Sequence, residues 1–168
     1  MARPPRLVFG RVPAWVLHGV VLPLAVLAVL HACAVDTFRV SGSSMEKTLQ
    51  PGDFVLVSKL GVSRAALTGR PFIPQKGAIV VFRLPQNRAV TVIKRVVALP
   101  GEVRILENGY VHVVGTGAVF VEGDNRAPGA SSDSREWGDL PVSDVVGTAV
   151  FRLLPLRAAG PLIAAVTP

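Results

Sequence analysis

Cysteine occurs once, at Cys33, so the 168-residue chain forms no internal disulfide. The three histidines, His18, His31 and His112, are isolated from one another and from Cys33, which is not the spacing of a metal site, and we expect neither a metal nor a cofactor. Aromatic residues make up only 6% of the chain, and the basic residues form no stripe with aromatics between them. The net charge of +7 therefore does not predict nucleic-acid binding.

Charged residues are missing altogether from residues 12–35. A helix of that length is about 36 Å long, which is enough to cross a hydrocarbon core of about 30 Å. Arg3, Arg6 and Arg11 precede it with no acidic residue among them, and this bias predicts a cytoplasmic N-terminus. We therefore expect residues 1–11 to be a cytoplasmic tail, residues 12–35 a single-pass anchor in the lipid bilayer of the cell membrane, and everything after Asp36 to lie outside.

Two other interpretations of residues 12–35 stay open. A cleaved signal peptide has an apolar core of about 7–15 residues, which is shorter than this run. The tetrapeptide Leu30–Cys33 is similar to a lipoprotein cleavage site, although a histidine is an unusual residue there. The length of the run favours the membrane anchor.

The rest of the chain alternates short β-branched and aromatic runs with turn signals, which predicts a mainly antiparallel β-sheet domain over residues 36–155. Strands are expected at Phe54–Val57, Ala78–Phe82, Val90–Val97, Val119–Val121 and Val145–Leu154, with a hairpin at 103–113 that turns at Asn108-Gly109. Gly69, Pro71 and Pro74 predict a long loop over residues 61–77, and we expect no helix outside the anchor. Residues 156–168 are interpreted as a C-terminal tail, apolar but too short to span a membrane.

A serine-rich turn follows the apolar segment, within Val40–Asp53. Small residues at 41–44 let the backbone bend tightly and bring N–H groups close to a ligand, while Met45 and Leu49 can anchor the turn against a core. Ser44 held in this way can act as a nucleophile. An ordinary polar loop is the alternative, since clusters of serine and glycine between structured segments are usually loops.

A nucleophilic serine needs a base, and the sequence offers two kinds. His112 is the one histidine outside the apolar segment, but no acidic partner is assigned to it by sequence. A lysine serves only when burial keeps it neutral, and Lys94 alternates on one strand face with Val90, Val92 and Val96. The alternative is a lysine at a sheet edge that extends its amine into water.

A charged loop, Gly123–Arg135, supplies the remaining polar groups. Asp133 and Arg135 can pair and fix the loop, and we expect Arg95 to join them. A hydroxyl of Ser131 or Ser132 can orient a neutral lysine amine.

Three blocks in order now show a resemblance to a known family. They are Ser44-Met45 with Thr48-Leu49 and Gly52-Asp53, then Lys94 to Glu102, then Gly123 to Arg126 with Ser131, Asp133-Ser134-Arg135 and Trp137-Gly138. The chain resembles the bacterial type I signal peptidases over most of its length, from the apolar segment to about Phe151. The resemblance implies a membrane-bound serine endopeptidase that removes signal peptides from exported preproteins after a small-x-small motif, in functional connection with the protein translocation machinery.

The resemblance also implies roles for individual residues. Ser44 matches the nucleophile and Lys94 the general base of a Ser-Lys dyad. The backbone N–H of Ser44 and a group at Gly42 match the oxyanion hole, with Ser41 or Ser43 as further helpers. Residues with supporting roles near the site are the lysine-orienting Ser131, the ion pair of Asp133 and Arg135, and Arg95 and Asp124.

Two departures from the family pattern bear on these assignments. Lys47 stands where relatives usually have proline, which adds a charge near the site. The loop between Arg126 and Asp133 is two residues longer than the commonest form, so Ser132 stays an alternative to Ser131.

Two other functions stay open at the level of sequence. One is a non-catalytic membrane-anchored β module whose loops bind another exported protein. The other is a related Ser-Lys peptidase that cleaves itself or one dedicated partner.

Overall fold

The structure is a computed structural model that describes residues 13–106 and 109–162. The chain divides into two compact units, Met1–Ala32 and Cys33–Pro168. The expected cytoplasmic tail lies outside the described residues, as does Asn108 of the predicted hairpin turn.

The chain begins with a helical run in three parts: α1 (Ala14–Val16), a π-helical turn (Leu17–Val21) and α2 (Leu22–Ala34). Pro23, the second residue of α2, has no N–H to donate, and its ring crowds the preceding turn. A wider π-helical turn next to such a residue relieves this conflict, which explains the break. Within residues 13–106 and 109–162, no helix is both long enough and apolar enough to cross a membrane.

The second unit is built on one antiparallel sheet in the order β1-β2-β9-β3-β4-β7-β8, with β10 beside β9. Its strands are β1 (Val35–Arg39), β2 (Phe54–Ser58), β3 (Ile79–Leu84), β4 (Asn87–Ala98), β7 (Ala118–Glu122), β8 (Leu140–Pro141), β9 (Val145–Leu154) and β10 (Gly160–Pro161). A separate hairpin pairs β5 (Val103–Ile105) with β6 (Val111–Val113). The prediction of a mainly antiparallel β-sheet domain is confirmed. The β10 pairing shows that Gly160–Pro161, expected in a tail, is part of the sheet.

The prediction of a loop over residues 61–77 is wrong for its first half, where α3 spans Leu60–Thr68. Gly69 is not a loop residue here but the helix cap, with a left-handed φ of 68° and its N–H bonded to Ala65 O. Gly61 lies inside α3, and the ring of Phe72 packs where a side chain at position 61 would stand, which requires a glycine there. A second short helix, α4, spans Ser134–Trp137.

The sheet carries two main clusters of buried side chains, and the first contains Met45 and Leu49, both fully buried. The expectation that these two residues anchor the serine turn against a core is confirmed. Strand β4 passes from a partly exposed end to an end that β3 and β7 flank on both sides. Lys94, Arg95 and Val96 lie in this end and are all buried, although they alternate between the two faces of the sheet.

Candidate active site

The turn that carries Ser44 is held by a backbone hydrogen bond between its two ends and by two buried apolar side chains. Val40 N–H donates to Asp53 O over 2.8 Å, which joins the two ends of the turn. The buried side chains of Met45 and Leu49 hold its middle against the sheet. Ser44 is therefore presented by a constrained backbone and not by a free loop.

Lys94 meets Ser44 from strand β4. The distance between Lys94 Nζ and Ser44 Oγ is 2.6 Å, and Lys94 is only 5% exposed. Burial lowers the pKa of Lys94 because it desolvates the ammonium, and the nearby charge of Asp133 opposes this lowering. A lysine biased toward the neutral amine and hydrogen-bonded to a serine has the geometry that activates a nucleophile.

The charged loop 123–135 is the third segment of the site, after the serine turn and strand β4, and it packs against the serine turn. Asn125 N–H donates to Ser44 O over 2.9 Å. A side chain on Gly123 would stand 2.6 Å from Ser44 O and would overlap the hydroxyl of Ser131. Only glycine permits this approach, and sequence reasoning assigned Gly123 no role of its own.

Asp133 organises the third segment from a fully buried position. It accepts hydrogen bonds from Ser131 Oγ (2.7 Å), Gly123 N–H (2.9 Å) and Arg135 Nε (2.9 Å). Burial by itself raises the pKa of Asp133, but the hydrogen bonds, foremost those from Arg135, outweigh it and the pKa is lowered. Asp133 is therefore held as a carboxylate.

The two candidate lysine-orienting serines have different surroundings. Ser131 is buried and its hydroxyl donates to Asp133. Ser132 is exposed and its hydroxyl donates to Glu136 Oε2 over 2.5 Å. Neither hydroxyl is hydrogen-bonded to Lys94 within the described residues.

Arg95 does not join the Asp133–Arg135 pair, contrary to expectation. It forms two hydrogen bonds with Asp124, Nε to Oδ1 (2.8 Å) and Nη2 to Oδ2 (2.7 Å). Thr48 Oγ1 donates to the same carboxylate over 2.5 Å. Arg95, Asp124 and Thr48 therefore tie together the strand of the lysine, the third segment and the serine turn.

Arg152 is a residue that sequence reasoning missed. From strand β9, its Nη2 donates to Thr48 O, and its Nε lies 3.5 Å from Asp53 Oδ2. Asp53 also accepts the N–H of Gln50 over 2.9 Å. No local sequence pattern predicts this contact, because Arg152 and Thr48 are 104 residues apart.

His112 has an acidic partner that the sequence did not reveal. Its Nε2 lies 2.6 Å from Asp139 Oδ1, and its ring packs against Phe120. The hydroxyl of Ser44 is bonded to Lys94 instead. The structure thus brings Ser44 together with Lys94, and His112 together with Asp139.

A cleft of about 140 Å³ opens beside Ser44 and Lys94. Its apolar wall includes Val40, Val55 and Ile93. Within the part of the chain that the structure describes, Ser44 N–H donates to no protein group. Ser41 and Gly42 line the same cleft, whereas Lys47 is an exposed residue of the turn.

Comparison with known proteins shows which family the chain is similar to. The family described as "Signal peptidase, peptidase S26" matches residues 13–116 and 103–154. The chain is similar to "Probable signal peptidase I-1" of Synechocystis sp., with 31% identity over 84% of this chain and 85% of that protein. It is 40% identical to "Signal peptidase I" of Pseudomonas fluorescens over 48% of this chain, which is only 30% of that longer protein.

The chain is also similar to a mitochondrial protease subunit. The chain is 35% identical to "Mitochondrial ATP-independent inner membrane protease subunit 1b" of Arabidopsis thaliana, over 72% of this chain and 71% of that protein. The family match includes both the serine turn and strand β4.

Proposed function

The chain belongs to the signal peptidase family, peptidase S26, and is a serine endopeptidase; on this basis we propose that it removes signal peptides from exported preproteins with Ser44 as nucleophile and Lys94 as general base. The observation that carries the assignment of residues is the 2.6 Å separation of Lys94 Nζ and Ser44 Oγ. The lowered pKa of Lys94 supports it, because only the neutral amine accepts a proton.

In the proposed reaction, Ser44 Oγ attacks the scissile carbonyl while its proton passes to Lys94 Nζ. The C–N bond then breaks, the proton moves from Lys94 to the leaving amine, and the signal peptide stays on Ser44 as an ester. Lys94, neutral again, takes a proton from water as the water oxygen attacks the ester; the bond to Ser44 Oγ then breaks, Lys94 returns the proton to Ser44 Oγ, and the signal peptide leaves as a free acid. One amine therefore serves both halves of the reaction.

The developing oxyanion needs donors that are not already engaged. The N–H of Ser44 meets this condition within the described residues, and Gly42 lies in the same cleft. We assign Ser44 N–H as the principal donor and the backbone at Gly42 as the second, with Ser41 and Ser43 as neighbours that shape the turn.

Ser131 is assigned the orienting role beside Lys94. Its hydroxyl is buried against Gly123, at the place where the third segment meets Ser44 O. Its bond to Asp133 fixes the hydroxyl oxygen and leaves lone pairs available to an amine N–H. Ser132 is the weaker choice because its hydroxyl is exposed and bonded to Glu136.

The cleft suits an extended peptide with small side chains. Among the described strands β1 pairs only with β2, and residues 87–93 of β4 pair only with β3, so both present free edges to the cleft. An extended substrate can add to such edges through backbone hydrogen bonds. A space of about 140 Å³, close to the roughly 150 Å³ cavity that holds a single benzene, would have to take both specificity side chains of the peptide, and this favours the small residues of a small-x-small motif.

The proposal includes a membrane setting. The absence of charge from residues 12–35 and the three arginines before them support a single-pass anchor in the cell membrane, with the N-terminus in the cytoplasm and the catalytic unit outside. Substrates that emerge from the translocation machinery would reach the enzyme in the same bilayer. Protease accessibility of the catalytic unit in sealed vesicles, from either side, tests this orientation.

A second candidate is a Ser-Lys peptidase that cleaves one dedicated partner. This second candidate is supported by the similarity of the chain, over 72% of its length, to an inner membrane protease subunit. Both candidates share the dyad and differ in the breadth of substrates. A panel of unrelated preproteins distinguishes them, because the dedicated enzyme cleaves at most one.

Replacement of the dyad tests the chemistry. We expect Ser44→Ala and Lys94→Ala each to abolish cleavage of purified preproteins by the full chain in detergent, while far-UV circular dichroism and the melting temperature show a folded protein. Lys76→Ala is the matched control, because Lys76 is an exposed lysine that pairs with Glu102.

Three outcomes would contradict the proposal in different ways. Cleavage by Lys94→Ala together with its loss in His112→Ala would transfer the role of base to His112. Undiminished cleavage by both dyad variants would exclude the dyad. Function in protein export that survives both variants would favour a non-catalytic module that binds exported proteins.

A further inference from the structure

Asn125 contacts the serine turn through its side chain as well as its backbone. Its Nδ2 donates to Ser43 O and to Glu46 Oε2, each over 3.3 Å. Its Oδ1 accepts the N–H of Ala127 over 3.2 Å. Two acceptors on one end of the amide and a donor on the other fix its orientation.

The contact with Ser43 O matters because of the planarity of the peptide bond. The carbonyl of Ser43 and the N–H of Ser44 belong to one trans peptide group, so they lie in one plane and point in opposite directions. A donor that fixes this carbonyl therefore fixes the direction of the Ser44 N–H. It also polarises the amide, which strengthens that N–H as a donor.

The following peptide group is held by the same residue. Asn125 N–H donates to Ser44 O over 2.9 Å, so Asn125 controls the planes on both sides of the nucleophile. The Ser44 N–H between these two held carbonyls donates to no described protein group, and Ser44 is a lining residue of the cleft.

We propose that Asn125 is a positioning residue for the oxyanion hole, which aims the Ser44 N–H at the developing oxyanion through the carbonyl of Ser43. The inference rests on the proposed function, since it assumes that Ser44 attacks a carbonyl. It concerns the side chain of Asn125, because the backbone bond to Ser44 O is kept by any residue except proline.

The expected effect is smaller than the loss of a whole oxyanion donor. Ser43 O also accepts the N–H of Glu46 over 3.1 Å, so its plane keeps one of its two restraints when Asn125 is replaced. Complete removal of such a donor costs about 100-fold to 1,000-fold in kcat. We expect Asn125→Ala to lower kcat by roughly 10-fold to 30-fold, with KM nearly unchanged.

The experiment compares transition-state and ground-state readouts in the full chain. A peptide aldehyde that forms a hemiacetal with Ser44 places its oxygen in the oxyanion position, so its affinity should fall by about the same factor as kcat. The midpoint of the kcat/KM profile against pH should not move, because Lys94 keeps its surroundings. Asn125→Asp keeps an acceptor for Ala127 N–H but loses the donor, so it should show the same loss of aldehyde affinity.

Two control variants separate positioning from a merely structural role. Glu46→Ala removes the other partner of Asn125 Nδ2 and leaves Ser43 O in contact, so kcat should stay within about twofold of the unmodified chain. Asn87→Asp makes the same chemical change at the first residue of β4, where Asn87 Oδ1 accepts the N–H of Ala89, and it should have no effect.

The outcomes distinguish this inference from the function on which it rests. If the unmodified chain cleaves preproteins through Ser44 and Asn125→Ala is equally fast, or only KM changes, the positioning role is wrong while the function stands. An equal loss of activity in Glu46→Ala would assign Asn125 to loop packing instead. If the unmodified chain cleaves nothing, the proposed function itself fails and the inference fails with it.

Discussion

Replacement of Gly123 by alanine should damage catalysis and stability together. The added Cβ would stand 2.6 Å from Ser44 O, which is about 0.8 Å closer than an ordinary 3.4 Å contact. The backbone of Gly123 or of the serine turn must shift by a comparable amount, and a misplacement of about 1 Å can cost on the order of 100-fold in rate. Overpacking of this kind also destabilises by about 1–3 kcal/mol. We therefore expect kcat to fall by tens of fold and the melting temperature to fall by a few degrees.

Two other glycines make the interpretation specific. At Gly147 a Cβ would stand 2.5 Å from Ser58 O, so Gly147→Ala should lose a similar amount of stability. Because Gly147 lies in β9 and contacts β2, not the serine turn, the folded fraction of the Gly147→Ala variant should keep a normal kcat. Gly160→Ala meets no atom within 4 Å and should be nearly neutral in both respects. Thermal melts and preprotein cleavage well below each melting temperature are the assays, and a normal kcat in Gly123→Ala would refute the reasoning.

Three further predictions concern the charges and hydroxyls of the site. Lys94→Met should abolish cleavage because it removes the base. Burial lowers the pKa of Lys94, so the unfolded chain binds more protons than the folded chain at pH values between the lowered and the ordinary lysine pKa, and this destabilises the fold. The melting temperature of Lys94→Met should therefore be higher than that of the unmodified chain at pH 7, and the difference should shrink as pH rises toward the ordinary lysine pKa. Arg135→Gln should move the rising limb of kcat/KM to higher pH, because Asp133, with its main ion-pair partner removed, would hold the lysine proton more strongly. Ser131→Ala should lower kcat by roughly 10-fold to 100-fold, because its hydroxyl would no longer stabilise the ammonium that forms when Lys94 takes the proton of Ser44. Ser132→Ala should have little effect in the same assay.

Much of the site could be predicted because its chemistry is encoded locally. Alternation along β4 identified Lys94 as a lysine among valines, and Val96 beside it is fully buried. Apolar spacing identified Met45 and Leu49 as anchors of a turn that Ser44 occupies. These conclusions need only the side-chain period of a strand and the burial of large apolar residues.

The contacts that unite the three segments could not be predicted in this way. Alternation along the strand predicts the face on which Arg95 lies. Whether Arg95 pairs with Asp124 or with Asp133 depends on how the loop that carries both acids, 29 or more residues further along the chain, packs against the strand. The same holds for Asp139, which meets His112 from 27 residues further along the chain. Helix α3 was missed because Gly69 is read as a loop signal by composition, whereas its position makes it a cap.

The state of Lys94 depends on two opposing effects, and burial alone does not settle the balance. Asp133 is the acid whose charge acts on the lysine, and a free carboxylate buried there would return the proton to the amine and disable the base. Arg135 donates two hydrogen bonds to Asp133, Nε to Oδ1 at 2.9 Å and Nη2 to Oδ2 at 3.0 Å, and its positive charge opposes the field of the carboxylate at Lys94. In the proposed mechanism the ion pair would therefore do more than fix the third segment, because it would let the Asp133 carboxylate hold the Ser131 hydroxyl while Lys94 stays neutral.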